Sequence, residues 1–156
     1  MMTHLHSDHI SGMSAFGGKQ ILVSVAAANG HAGALMCRIP QDVQITPLAY
    51  KQGAVGVFPS TAALTEDGAI SVVPTPGHSI GHQSVLIQDE RKSVCIVGDA
   101  AFSLAQIQNE EIGGIVENHA DAANSADLLK QQLEMIGTIM LPTHDPSNAH
   151  RLRQLQ

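Results

Sequence analysis

The chain has 156 residues, of which 44% are hydrophobic and only 14% charged, and it carries a formal net charge of -6. That is enough apolar chain for one domain with a real core, which excludes a disordered polypeptide. The 8 Lys and Arg are scattered rather than striped, which excludes a nucleic-acid surface.

The start of the chain is polar and histidine-rich and does not read as a signal peptide. The longest apolar stretch, Ile21 to Ala28, is far below the ~20 residues of a membrane span. Cys37 and Cys95 stand alone without C-x-x-C spacing. They read as buried small residues or an incidental pair in a reducing, cytoplasmic setting.

In chain order, the first feature is a cluster of potential metal ligands, Thr3-His4-Leu5-His6-Ser7-Asp8-His9. Lys19 to Ser24 then ends in a β-branched run that predicts a strand, and Val25 to Met36 is alanine-rich and predicts a helix. Residues 39–59 are rich in Pro and Gly with little periodicity, so they are expected to be mostly loop with short extended pieces. Ala69 to Val73 predicts a strand stopped by Pro74 and Pro76. Gln83 to Gln88 and Ser93 to Val97 predict a hairpin around Asp89-Glu90-Arg91-Lys92.

Asp121 to Met135 has helical spacing, with Ala122, Ala126, Leu129, Leu133 and Ile136 apolar and Gly137 as a stop. Thr138 to Leu141 predicts a short buried strand. A last helix is expected from Ser147 or Asn148 through Leu155.

Three further candidate ligands each follow a predicted strand: His78, Asp99 and His144. Side chains at strand ends can converge from distant parts of a chain while a sheet holds them rigidly. With His4, His6, Asp8 and His9 they form a mixed nitrogen and oxygen set that suits zinc, manganese, iron or cobalt. Seven ligands are too many for one tetrahedral ion and suit two. Asp99, preceded by Gly98, suits a bridging carboxylate, and two cations ~3.5–4 Å apart can share a hydroxide that attacks a carbonyl.

The remaining polar candidates have plainer readings. His82 is expected to pack and hydrogen-bond within its loop, His31 and His150 to lie at the surface, and His119 to sit structurally near a helix start. Asp145 could support a neighbouring ligand as a carboxylate but reads first as a turn former before Pro146, and Met135 and Met140 read as core.

The run His4-x-His6-x-Asp8-His9, then Pro76-Gly77-His78-Ser79-x-Gly81-His82, Gly98-Asp99 and Leu141-Pro142-Thr143-His144 resembles the metallo-β-lactamase superfamily along essentially the whole chain. The His144 segment and Asn118-His119-Ala120-Asp121 look most like the branch containing N-acyl-homoserine lactone lactonases. The resemblance implies an α/β fold, an αβ/βα sandwich. It also implies two divalent ions, zinc first, with His4, His6 and His78 on one. Asp8, His9 and His144 would hold the other, with Asp99 bridging. Asp8 would also serve catalysis by shuttling a proton to the leaving group.

A metal-dependent hydrolase opening a small-molecule ester or lactone is the expectation. The alternatives are a thioesterase of the glyoxalase II kind and a catalytically inactive remnant. Such lactonases usually carry a tyrosine three residues after the bridging aspartate, where this chain has Phe102. Family members also build a first sheet ahead of the histidine cluster. Residues 1–156 are therefore expected to form one partial domain, incomplete at the N-terminus, with Met1 an internal codon of a longer frame. An open sheet edge and an apolar face would then favour dimerisation or aggregation. Ordering residues 4–9 is expected to cost roughly 6–12 kcal/mol of backbone entropy, at about 1–2 kcal/mol per residue. Metal binding, worth ~10–16 kcal/mol in favourable peptides, is expected to offset it.

Overall fold

The computed structural model describes residues 1–29 and 39–153. Among the described residues, two sheets organise the fold. In the smaller, β1 (Gln20–Ser24) pairs in parallel with β2 (Gln44–Leu48). In the larger, β3 (Lys51–Val55), β4 (Phe58–Ala63), β5 (Ile70–Pro74), β6 (Gln83–Gln88), β7 (Ser93–Gly98) and β8 (Thr138–Pro142) lie side by side in that order. Its pairings are antiparallel except β7 with β8, which run parallel.

A parallel return needs a crossover. Here the crossover carries α3 (Leu104–Asn109) and α4 (His119–Glu134). Ile107 and Leu129 from these helices bury against Phe58, Val73, Leu86, Cys95, Val97 and Met140. Burial also pushes the Cys95 thiol up to about 12, so this cysteine acts as a small apolar residue. Alternation along the strands sends Val85, Ile96 and Leu141, which are cross-strand neighbours, to the opposite face. On that face Ile87 and Ile96 are each 37% exposed.

The N-terminal segment is tied down. It forms α1 (Ser7–Ile10), a single turn, and a 3-10 turn over Met13–Phe16. Leu5, Ile10 and Met13 bury against Ile21, Val23, Ala27 and Val43. The Met2 amide donates to the Leu22 carbonyl at 2.9 Å, and the Gln83 amide donates to the Thr3 carbonyl at 3.0 Å. Burying three such side chains is worth about 5–9 kcal/mol, at ~1.5–3 kcal/mol each. That is of the same order as the ordering cost, so apolar packing goes a long way towards holding residues 4–9.

Most predicted strands stand within a residue or two of their expected bounds, and α4 begins two residues early because Asn118 caps it through the Ala120 and Asp121 amides. Residues 39–59 hold the expected extended pieces, but as paired strands that leave less loop than expected: β2, β3 and the start of β4 lie there. Their stability comes from pairing with distant or adjacent strands, and half-exposed positions leave no apolar alternation to read. α3 was also unanticipated; Ser103 caps it, its hydroxyl accepting from the Gln106 amide at 3.3 Å. Met135 is a correction too: the helix ends at Glu134, leaving Met135 42% and Ile136 fully exposed.

The helix expected over residues 25–36 begins as α2 (Val25–Asn29). Its remainder, with His31 and Cys37, lies outside the described residues. The terminal helix, α5, covers Asn148–Arg153, and its expected end at Leu155 also lies outside them. Among the described residues, no helix is long and apolar enough to cross a membrane.

Candidate metal centre

All seven residues singled out by spacing converge. They form two groups able to hold a metal ion, His4, His6 and His78 in one and Asp8, His9, Asp99 and His144 in the other. Within each group the potential ligand atoms lie within 4.8 Å of one another. His78, Asp99 and His144 follow the ends of β5, β7 and β8, so the large sheet delivers them, while the tethered N-terminal segment delivers the rest.

In the first group, His78 Nε2 lies 2.9 Å from His6 Nδ1 and 3.3 Å from His4 Nε2. Nitrogens bound to one tetrahedral zinc at ~2.0–2.1 Å would stand roughly 3.3–3.4 Å apart, so these three are close to a ligating arrangement. Two ring orientations are fixed from behind. His78 Nδ1 pairs with the Ile115 carbonyl at 2.8 Å, and His4 Nδ1 lies 3.2 Å from the Thr3 hydroxyl. Each leaves its Nε2 facing the group.

Asp99 reaches into both groups. Its Oδ1 is 3.3 Å from His9 Nε2, and its Oδ2 is 3.1 Å from His144 Nε2 and 3.7 Å from His78 Nε2. Asp8 stands at the rim, its side chain 59% exposed, with Oδ2 3.6 Å from His9 Nε2 and 3.8 Å from His144 Nε2. His9 Nε2 and Asp99 Oδ1 are buried, and beyond their 3.3 Å approach to each other neither has a well-aligned hydrogen-bond partner. Orphaned polar atoms of this kind are costly unless a cation or water satisfies them, and a cation fits this donor set.

The charge states suit the same reading. Burial, then neighbouring imidazoles, holds His4 far below the ordinary histidine range, and burial lowers His78 as well. Burial pushes the Asp99 carboxyl up, but the hydrogen-bonding contact with His9 and the charge of that imidazole outweigh it and leave the carboxyl below its ordinary range. His9 is raised, chiefly by the Asp99 carboxylate beside it. Neutral His4 and His78 beside an ionised carboxylate suit metal ligation, and a cation between His9 and Asp99 would displace the proton that the carboxylate now favours on His9.

His82 is fully buried and stands outside both groups, as its loop reading anticipated. It does more than pack. Its Nδ1 pairs with the Thr75 carbonyl at 3.0 Å, and its Nε2 accepts the Asp99 amide at 3.0 Å, so it fixes the backbone under the shared carboxylate. Burial lowers it to about 3, which keeps it a neutral acceptor. Gly98 beside it has φ +67, and a Cβ there would meet His82 Nε2 at 2.6 Å.

Asp145 exceeds its turn reading. It accepts the Ser147 amide and the Leu104 amide, both at 2.9 Å, and pairs with Arg151 at 2.5 Å, locking α3 and α5 beside His144. Those bonds, the Leu104 amide first, lower its carboxyl to about 2. His119 and His150 are exposed.

A cavity of about 370 Å³ opens onto the ligands, lined by His6, Asp8, His78, Asp99, Phe102, Ile115 and His144. Phe102 meets His78 and His144 edge-on at 5.8 and 5.3 Å between ring centroids. Ile115, whose carbonyl holds His78, is 62% exposed at the rim. No spacing rule marks that residue.

Comparison with known proteins places this arrangement. The sequence profile described as the metallo-beta-lactamase superfamily matches residues 1–144. An N-acyl homoserine lactonase of Bacillus sp is 31% identical over 115 residues, spanning 69% of this chain and 40% of the relative. The N-acyl homoserine lactonase AttM of Rhizobium johnstonii is 28% identical over 82 residues, spanning 52% of this chain and 31% of the relative. The chain thus spans less than half the length of these curated relatives.

Among solved structures, an N-acyl homoserine lactone hydrolase with N-hexanoyl-L-homoserine at its catalytic metal centre superposes with a TM-score of 0.71 at 23% identity. That likeness covers 96% of this chain and 56% of the other. The dizinc quorum-quenching lactonase AidC superposes at 0.65 with 15% identity, covering 92% and 56%.

Proposed function

This chain belongs to the metallo-β-lactamase superfamily, with the α/β fold of its lactonases, and from that premise we propose that it is a metal-dependent hydrolase that opens a lactone ring. The observation that carries the reading is the single carboxylate, Asp99, within 3.7 Å of ligand atoms from both groups at the floor of an open cavity.

In this reading His4, His6 and His78 hold one divalent ion, Asp8, His9 and His144 hold a second, and Asp99 is shared. Zinc heads the candidates for a histidine-rich set with carboxylates. Two bound cations supply an activated water near neutral pH and polarise the substrate carbonyl.

The chain's own groups do the rest. His82 and the Thr75 carbonyl keep Asp99 oriented, and the Ile115 carbonyl keeps His78 turned inward. Asp8, solvent-facing and near His144, carries a proton to the departing alkoxide. Phe102 and Ile115 give the cavity an apolar wall that excludes water from one side of the substrate. Phe102 offers no hydroxyl to the carbonyl oxygen, so ring opening proceeds without a side-chain donor from that position.

The lactone assignment is supported by the named lactonase relatives and by lactonase structures with ring-opened products bound. The test is proton release from N-acyl homoserine lactones and from an acyl thioester by the chain reconstituted with zinc. Metal-dependent lactone opening that exceeds thioester cleavage supports the proposal. Thioester cleavage alone replaces the substrate class, and no metal-dependent turnover of either rejects the enzyme.

A further inference from the structure

Behind the cluster, away from the cavity, a polar contact crosses from one sheet to the other. Tyr50 occupies the link between β2 and β3, where the chain leaves the small sheet for the large one. Its hydroxyl donates to Gln83 Oε1 at 2.6 Å. Gln83 is fully buried, and its Nε2 donates to the Met2 carbonyl at 2.8 Å. The Gln83 backbone amide meets the next carbonyl, that of Thr3, and the Thr3 hydroxyl meets His4 Nδ1.

The amide of Gln83 is therefore not free to turn. Tyr50 donates to its oxygen, which commits its nitrogen to Met2 and leaves no alternative pairing for a buried group. The preceding residue, His82, supports Asp99 in the same way. Two adjacent side chains of β6 and its approach thus brace opposite sides of the centre, one the shared carboxylate and the other the histidine segment.

We propose that Tyr50 and Gln83 form a positioning clamp that sets the register of residues 2–4, and with it the affinity of the metal held by His4, His6 and His78. This rests on the ligand assignment above. The clamp touches no ligand atom, and it acts through the backbone that carries His4. The segment carries no regular hydrogen-bonded element of its own before Ser7, so register there depends on such outside bonds. Partners that orient a ligand are typically worth 10–100-fold in metal affinity.

The experiment compares Tyr50→Phe, Gln83→Met and His4→Ala with the unaltered chain. Each is titrated with zinc against a competing chelator and with cobalt by absorption, and the melting of each metal-free chain is recorded. Tyr50→Phe is expected to weaken one of two metal equivalents by about 10-fold, and Gln83→Met by up to about 100-fold, with the other equivalent nearly unchanged. The cobalt bands of the weakened site should shift.

Lower melting temperatures with both metal affinities unchanged would overturn the clamp and leave a purely structural pair, as would equal weakening of both equivalents. His4→Ala separates the two levels. If it removes one equivalent while Tyr50→Phe changes neither, the clamp alone fails; if it removes none, the ligand assignment fails with it.

Discussion

The candidate centre draws its ligands from two unlike regions. His4, His6, Asp8 and His9 share one short segment with a single helical turn, held by Leu5, Ile10 and Met13 and by bonds from β1 and β6. His78, Asp99 and His144 come from three separated places, each within four residues of the end of β5, β7 or β8. The second set inherits the rigidity of a six-stranded sheet. The first has no sheet of its own and borrows position from its neighbours. Ligand density is thus highest where the backbone is least self-supporting, and damage to packing should reach the first set before the second.

Asp99 is where the two regions meet, so its loss should have the largest effect. Asp99→Ala is expected to bring hydrolysis down at least about 1000-fold, beyond the ~10²–10³ of a single transition-state donor. It should also release metal from both groups, which elemental analysis of the dialysed protein would register. An unchanged rate would remove the shared carboxylate from the account.

A change confined to the packing of the first region tests its dependence on neighbours. Ile10→Ala, at a side chain 1% exposed, is expected to cost about 2–5 kcal/mol in chemical denaturation. It should weaken metal binding at both groups, because the same segment gives His4 and His6 to one and Asp8 and His9 to the other. Unchanged affinities at both would mean that the segment does not depend on this packing.

In the second region, Phe102→Tyr would place a hydroxyl on a ring that already contacts His78 and His144. Lactone opening is expected to rise by up to about 100-fold, the lower end of the ~10²–10³ that one such donor supplies. No change in kcat would mean that another group already serves the carbonyl oxygen.

The smallest effect concerns pH. His82 is neutral in the fold, lowered to about 3 by burial, whereas in the unfolded chain it titrates near 6.5. The unfolded chain therefore binds the extra proton first. The stability from this residue is full above pH 6.5 and drains as pH falls towards 3, by about 1.4 kcal/mol per unit. His4, also held far below the ordinary histidine range, adds a slope of the same sign, so metal-free protein should lose stability at least that steeply in denaturation between pH 6.5 and 4.5, and His82→Gln should make the loss shallower without abolishing it.

The seven candidates that converge were legible because each sits at a place that sequence marks well: a dense cluster, or a histidine or aspartate bounded by Pro, Gly and a β-branched run. The strands beneath them were legible for the same reason, as with Ile70–Pro74 ending in prolines and Ser93–Gly98 ending in glycine. Other features were not, because they depend on partners far along the chain. β2 exists by pairing with β1, more than twenty residues earlier. Tyr50 and Gln83 lie 33 residues apart, and the Ile115 carbonyl that orients His78 is a backbone group any residue would offer. α3 could have been found, since Ser103 followed three residues later by Gln106 is a capping pattern.

Crystals of the chain grown with zinc, with anomalous differences collected at the zinc edge, test the central claim most directly. Two peaks ~3.5–4 Å apart are expected, one among His4, His6 and His78 and the other among Asp8, His9 and His144, with the Asp99 carboxylate between them. A single peak, or two that leave Asp99 outside both coordination spheres, would contradict it.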